Sequence, residues 1–359
     1  MNQLPTIDII FKQQAYSFVE RSERGNVILI LRDSTDITFN TKEYRLITEV
    51  EEDVAKYTAE NLQYIKDAMV GTPNLVTVVR IDLLGTIADA LTLVATLPTG
   101  WTSIVGEQVD YEAISTWTKQ LRVLKKYYKS IVTDTTEPAD NEGVVDLFKT
   151  TVTFKDGRGE QSSEEIIPTI LGLLAGANVQ RGTTYMTVPN LASVVEPVDV
   201  NAEITLGKFV LINDYGIVKI ALGINSLTTF DAPKTEDFSS IEIVEAMDMI
   251  SEDLNKTFKN DFISKYKNNY DNQIVFISAV NTYFKALANE GILDINFENI
   301  SGVNIEKQRQ AWISVGKVVA VDWSDAEVKN MTFKKQLFLF ANVKILQSMT
   351  DLDFIINMV

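Results

Sequence analysis

NVILIL (residues 26–31) and LVTVVRI (residues 75–81) are predominantly apolar runs with no alternation of dry and wet positions. A strand with one solvated face alternates apolar and polar residues, whereas a strand covered on both faces does not. Both runs therefore read as buried strands of one sheet. Between them, residues 52–69 place Val54, Tyr57, Leu62, Ile65 and Met69 near helical spacing, with Gly71 just past the end as a stop. Residues 86–97 read as a second helix and WTSIVG (101–106) as a third strand. Residues 111–126 form a third helix, with Ile114, Trp117, Leu121 and Leu124 on one stripe, and residues 129–134 and 143–148 are further strands. Strands alternating with helices through short connections predict an α/β class, a mostly parallel sheet with helices on its faces.

Farther along, residues 164–177 predict a helix ending in the small-residue run GLLAGA. GKFVLIN and IVKIAL flank Asn213-Asp214-Tyr215-Gly216 and predict an antiparallel hairpin. DAPKTED (231–237) is polar, contains a proline and reads as an interior boundary. Beyond it the texture changes and the chain as a whole becomes α+β. Ser239 with Glu242 forms a capping box opening a helix striped by Ile243, Met247, Ile250, Leu254 and Phe258. Residues 273–289 are a second amphipathic helix, and residues 336–346 and 351–359 read as strands. At the other end, Ile7, Ile9 and Phe11 share one face of an extended segment with no sequence neighbour to pair with.

Composition excludes whole classes of chemistry. The 359 residues contain no Cys and no His, which removes disulfides, Cys/His zinc sites, a Cys nucleophile and any Ser-His-Asp triad. With 33 Lys+Arg against 49 Asp+Glu, the net charge of −16 argues against non-specific nucleic-acid binding. No apolar stretch is long enough to span a bilayer and the first residues do not resemble a signal peptide, so a soluble protein folding in the cytoplasm, without membrane insertion, is expected. Two domains are expected from the length.

Few residues suggest a reactive site. FKDGRGEQSSEE (154–165) has two glycines between a strand and a helix, but Ser162 stands where a third phosphate-loop glycine belongs, so a simple turn is the stronger reading. Asp351 and Asp353 form a DxD pair that could hold a divalent ion, or face solvent on a terminal strand. Asp248 and Glu252 lie one helical turn apart, as an acid–base pair or as a wet helix face. Lys119, Arg122, Lys125, Lys126 and Lys129 form a basic cluster that reads as a solvated face, or as a docking patch for an acidic neighbour. No catalytic residue, cofactor site or metal site is assigned. The terminal strands are more informative: either they pair within their own molecule, or each completes a sheet in another.

GKFVLINDYGIVKIALGINSLTT (207–229), IEIVEAMDMISEDLNKTFKNDFISKYKNNYDNQ (241–273), VFISAVNTYFKALANEGIL (275–293) and LFLFANVKILQSMTDLDFIINM (337–358) closely resemble the contractile phage-tail sheath proteins. AGANVQRGTTYMTVPN (175–190) matches a less specific part of that family. The chain length is similar to that of the short sheaths of Gram-positive prophage-like tails and R-type bacteriocins. The resemblance implies a non-enzymatic subunit that polymerises as stacked hexameric rings around an inner tube, with no cofactor. Its implied partners are other copies, a tube protein, and baseplate and tail-terminator proteins, and its implied setting is a particle assembled in the host bacterial cytoplasm. The family's outer domain is subtilisin-like, and without histidine it inherits no protease role here.

On the resemblance, residues 1–20 are an N-terminal arm, 21–235 the outer domain, 236–346 the inner tube-facing domain and 347–359 a C-terminal arm. The arm strands are Ile7, Ile9, Phe11, Leu352, Phe354 and Ile356; the receiving strand carries Leu337, Leu339, Val343 and Ile345; and Lys256, Lys259, Lys265 and Lys267 face the tube. Two rival readings stay open: a doubly wound enzyme with a ligand at the sheet's C-terminal edge, and a monomeric binding module.

Overall fold

A computed structural model describes residues 19, 21, 24–177, 179, 181–232, 234–356 and 358. The expected N-terminal strand with Ile7, Ile9 and Phe11 lies outside the described residues. In chain order the elements begin β1 (Asn26–Arg32), β2 (Thr41–Tyr44), α1 (Ile47–Glu52), α2 (Ala59–Met69), β3 (Leu75–Ile81), α3 (Ile87–Val94), β4 (Trp101–Ile104), α4 (Gln108–Val123), β5 (Lys129–Thr133) and β6 (Val144–Leu147). They continue with β7 (Thr151–Phe154), β8 (Glu160–Ser162), α5 (Ile167–Ala177), β9 (Leu191–Val194), α6 (Val200–Thr205), β10 (Lys208–Phe209), β11 (Leu211–Asp214) and β12 (Ile217–Ile220). The last third contains α7 (Ile241–Thr257), α8 (Tyr270–Asn289), β13 (Ile300–Val303), α9 (Ile305–Ser314), α10 (Asp325–Asn330) and β14 (Leu339–Asn342).

The runs NVILIL and LVTVVRI become β1 and β3, which are hydrogen-bonded neighbours. β1 lies at the turning point of a seven-stranded sheet ordered β10-β6-β5-β4-β1-β3-β2. It pairs in parallel with β3 on one side (Val27 opposite Val76) and with β4 on the other (Val27 opposite Trp101). Every pairing is parallel except that of β2, which joins the edge antiparallel. All residues of β3, β4, β5 and β6 are buried, because helices cover both faces.

One of those helices, α5, is apolar all round and buried at every position but Gly176. It lies against α2 at backbone contact: a Cβ at Gly172 would overlap the Ala68 carbonyl, and one at Gly176 the Gly71 carbonyl. The GLLAGA run is thus a groove that lets a helix of high apolar content sit close enough to fill the layer.

Three elements differ from the sequence reading. The helix expected over residues 52–69 is broken at Tyr57, which turns extended so that its hydroxyl meets Tyr44 at 2.9 Å, and Thr58 then caps α2. The glycine pair of residues 154–165 lies in a turn between antiparallel β7 and β8, not between strand and helix; Gly157 and Gly159 both take left-handed φ there, so the phosphate-loop reading fails. Residues 351–356 form no strand within the chain.

The described residues divide into two compact units: those within 22–252 and 346–359, and those within 253–345 with residues 19 and 21. The division falls inside α7, not in the polar stretch 231–237. The first half of α7 is committed to the sheet unit, since Ile241 enters its apolar core and Glu245 and Asp248 are bound there by cations. In the other unit, β13 and β14 form a two-stranded antiparallel sheet against α8. Among the described residues no helix is long and apolar enough to cross a membrane.

Candidate functional site

In a doubly wound sheet the crevice for ligands opens at the carboxyl ends of the strands where their order reverses. Here that point is the end of β1, where a cavity of about 510 Å³ is lined by Arg32, Asn61, Tyr64 and Gly106, and the strand's own charge is already paired within the chain. Arg32 makes two 2.7 Å hydrogen bonds to Asp110 in the first turn of α4, and Asp110 also accepts the Glu107 N–H. The N-terminus of α4, a natural anion site, is thus occupied by a carboxylate from its own helix. The adjacent Asp33 is fully buried; burial alone would raise its pKa, but hydrogen bonds from Asn61, Thr58 and Thr35 hold it below the usual carboxylate range.

The other candidate groups are engaged in similar ways. Arg122 and Lys129, expected on a solvated face, are buried. Arg122 grips Asp248 with two bonds of 2.9 and 3.0 Å and reaches Glu142, which Lys234 also binds at 2.9 Å. Lys129 bridges Glu245 at 3.0 Å and Asp248 at 3.4 Å, and the Trp101 indole donates to Glu245 at 2.9 Å. Burial works against the Arg122 charge, yet Asp248 and Glu142 raise its pKa. Glu252, offered as the partner of Asp248 in acid–base work, pairs instead with Arg24 at 2.9 Å. This network fastens α7 to the start of β4 and β5. No helical periodicity reveals it, because the partners are over a hundred positions apart in the sequence.

The terminal features are of another kind. Leu352, Phe354, Ile355 and Ile356 are between 71% and 87% exposed, and the DxD carboxylates stand beside them in solvent. Among the described residues no group of three or more acidic side chains is placed to hold a metal ion. The expected receiving strand is shorter than residues 336–346. Only Leu339 of the four named residues lies in β14; Leu337 precedes it, Val343 follows it, and Ile345 bridges to Leu293. Among the described residues β13 and β14 pair only with each other, so β14 keeps one open edge.

The four lysines do not share a helix face. Lys256 is half-buried near the end of α7, Lys259 sits in the π-helical turn Phe258–Phe262, and Lys265 and Lys267 follow in the loop before α8. The helix ends early because Ser264 takes a left-handed conformation, and Asn269 then caps α8. Sequence reading also passed over an aromatic group in this unit, in which Phe262 stacks on Tyr266 at 5.1 Å and meets Phe276 edge-on at 4.8 Å. Its signal was Phe258, Phe262 and Tyr266 at successive four-residue steps.

Residues 233–358 match the family model described as the phage tail sheath C-terminal domain. Over its whole length the chain is 29% identical to the tail sheath protein of Clostridium phage phiCD119, with 100% of both chains covered. Among solved structures, the sheath tail protein of Desulfitobacterium hafniense matches with TM-score 0.67 at 17% identity, covering 83% of this chain and 94% of that one. The contracted helical sheath of the anti-feeding prophage matches with TM-score 0.69 at 11% identity and covers 99% of both chains. The last third of the chain thus matches a tail sheath C-terminal domain, and the chain as a whole shares the fold of the sheath proteins it is similar to.

Proposed function

We propose that the chain is the repeating subunit of a sheath that stacks as hexameric rings around an inner tube. Subunits assemble in an extended, metastable state. Contraction moves the folded units while the terminal arms keep neighbours tethered, and many small gains per subunit add along the sheath to drive the tube through a target envelope. No nucleotide is consumed; the free energy is stored at assembly. The single observation that carries this reading is an exposed apolar C-terminal segment in one unit together with, among the described residues of the other unit, a sheet with an open edge. Both are liabilities in a monomer, and a foreign strand on that edge satisfies both. Contacts of this head-to-tail kind are heterologous and propagate as helices.

Residues 1–20 and 347–359 serve as the arms on this reading, and the unit built on residues 253–345 faces the tube. Lys256, Lys259, Lys265 and Lys267 approach acidic groups on the tube protein. Baseplate and terminator proteins close the two ends, and the particle is built in a bacterial cytoplasm as a phage tail or a released bacteriocin. Negative-stain imaging of the expressed chain, alone and with its tube protein, tests the proposal: ordered tubes are expected. Deleting the residues before Ser17 should leave soluble single particles. Ordered, contractile sheaths from that deletion would overturn the N-terminal arm.

A further inference from the structure

In the unit formed by residues 253–345, an open cavity of about 590 Å³ lies between the π-helical turn, the start of α8 and the residues leading into β14. Four observations converge on it. Phe258, Phe262 and Phe276 line it, and Tyr266 and Ile263, 44% and 50% exposed, leave it apolar and open to solvent. Lys267, Lys334 and Lys335 stand at its rim. Gln273 is 3% exposed and also lines it; its Nε2 donates to Asn268, while its Oε1 has no hydrogen-bond partner. Two rim residues, Ser264 and Lys334, hold left-handed backbone conformations, a cost that native structures keep mainly at functional positions.

A buried acceptor left open costs the desolvation of its oxygen, so the cavity is built for something that brings a donor. The occupant must also supply apolar side chains for the aromatic floor and negative charge for the lysines. Asp351-Leu-Asp-Phe-Ile-Ile356 meets all three demands. Its apolar side chains are exposed, two carboxylates alternate with them, and its backbone, in neither helix nor strand, can bring an N–H group. Leu337, just before β14, is among the residues that line the cavity.

We propose that the C-terminal segment of a second copy of this chain docks here, with Phe354 against the aromatic floor, Asp351 and Asp353 toward Lys334 and Lys335, and a backbone N–H donating to Gln273 Oε1. The inference rests on the reading of the tails as inter-subunit arms and deepens it. Strand addition along β14 gives generic backbone pairing, whereas this cavity reads side chains and so sets which residue of the tail stops where.

Because the chain has no cysteine, two full-length single-cysteine variants can be mixed under mild oxidation. Ile355→Cys with Lys335→Cys reports the cavity, and Ile355→Cys with Ala341→Cys reports the open edge of β14. The expected result is a strong disulfide-linked dimer for the first pair. Lys334→Glu on the receiving copy should weaken it about two- to fivefold, as the loss of one exposed ion pair allows. Asp351→Lys with Asp353→Lys on the donating copy should restore it, a rescue that a misfolded receiver cannot give. Crosslinking at the β14 edge alone overturns the cavity but leaves the arms standing. Failure of both pairs while the chain still forms sheaths overturns the cavity and the C-terminal arm together.

Discussion

Gly172 and Gly176 show how much of this fold depends on atoms that are missing. Each faces a backbone carbonyl of the segment Ala68–Gly71 so closely that a methyl group has nowhere to go. Helical propensity favours Ala over Gly by about 1 kcal/mol, so an exposed helix would gain from the change. Here the overlap is with backbone, which cannot rotate away. Gly172→Ala and Gly176→Ala should each destabilise by roughly 1–3 kcal/mol or more, read as a lower urea midpoint at unchanged slope. A gain in stability would show that α2 and α5 are not in contact. Asp140 makes the opposite point, that a charge can be tuned by its setting. Burial raises its pKa, but Thr228 and Thr229 donate backbone N–H groups at 2.8 and 2.9 Å, and the balance lowers it to about 2. A depressed folded pKa stabilises above the unfolded value of about 3.9 and is lost as pH falls through about 2. Asp140→Asn, which tolerates the left-handed φ at this position, should be less stable than the parent at pH 7. The gap should close as the pH is lowered from about 4 to 2, followed by denaturant titration at each pH.

At the scale of elements, α7 is decided by its buried charges. Removing one member of a buried pair costs roughly 3–5 kcal/mol, whereas replacing the pair with apolar groups is often neutral. Asp248→Asn should therefore destabilise strongly, because it leaves Arg122 and Lys129 facing fewer negative charges in a dry site. Arg122→Met with Asp248→Leu should recover part of the loss, and only part, since Lys129 and Glu142 remain. A double variant no better than either single change would show that the network acts by shape and not by charge. The start of α7 is an amphipathic helix by pattern, but which unit it belongs to was settled by Arg122 and Lys129. Their place on the sheet is invisible in the local sequence.

For the whole molecule, folding and assembly should separate cleanly at the C-terminus. Ser348 is tied into the sheet unit, donating to Glu242 and accepting the Gly182 N–H. Residues 351–356 and 358 are exposed, and Leu352, Phe354, Ile355 and Ile356 keep 71% to 87% of their surface in solvent. Truncation after Thr350 should leave the unfolding free energy from urea titration within about 0.5 kcal/mol of the parent, the usual range for surface changes, while abolishing polymers in sedimentation. Loss of folding on truncation would mean that the segment belongs to its own core.

What the sequence determined alone was the class: unbroken apolar runs separated by helical periods are legible because strand burial on both faces writes itself into composition. The same holds for the hairpin at residues 213–216 and for the excluded chemistries, which need only residue counts. The tertiary structure decided what depends on distant partners: the order of strands about β1, the burial of Arg122 and Lys129, the division within α7, and the aromatic cavity beside β14. Periodicity records how a residue meets its neighbours a turn away. It carries no record of a contact made across more than a hundred positions, and ion pairs and cavities are contacts of that kind.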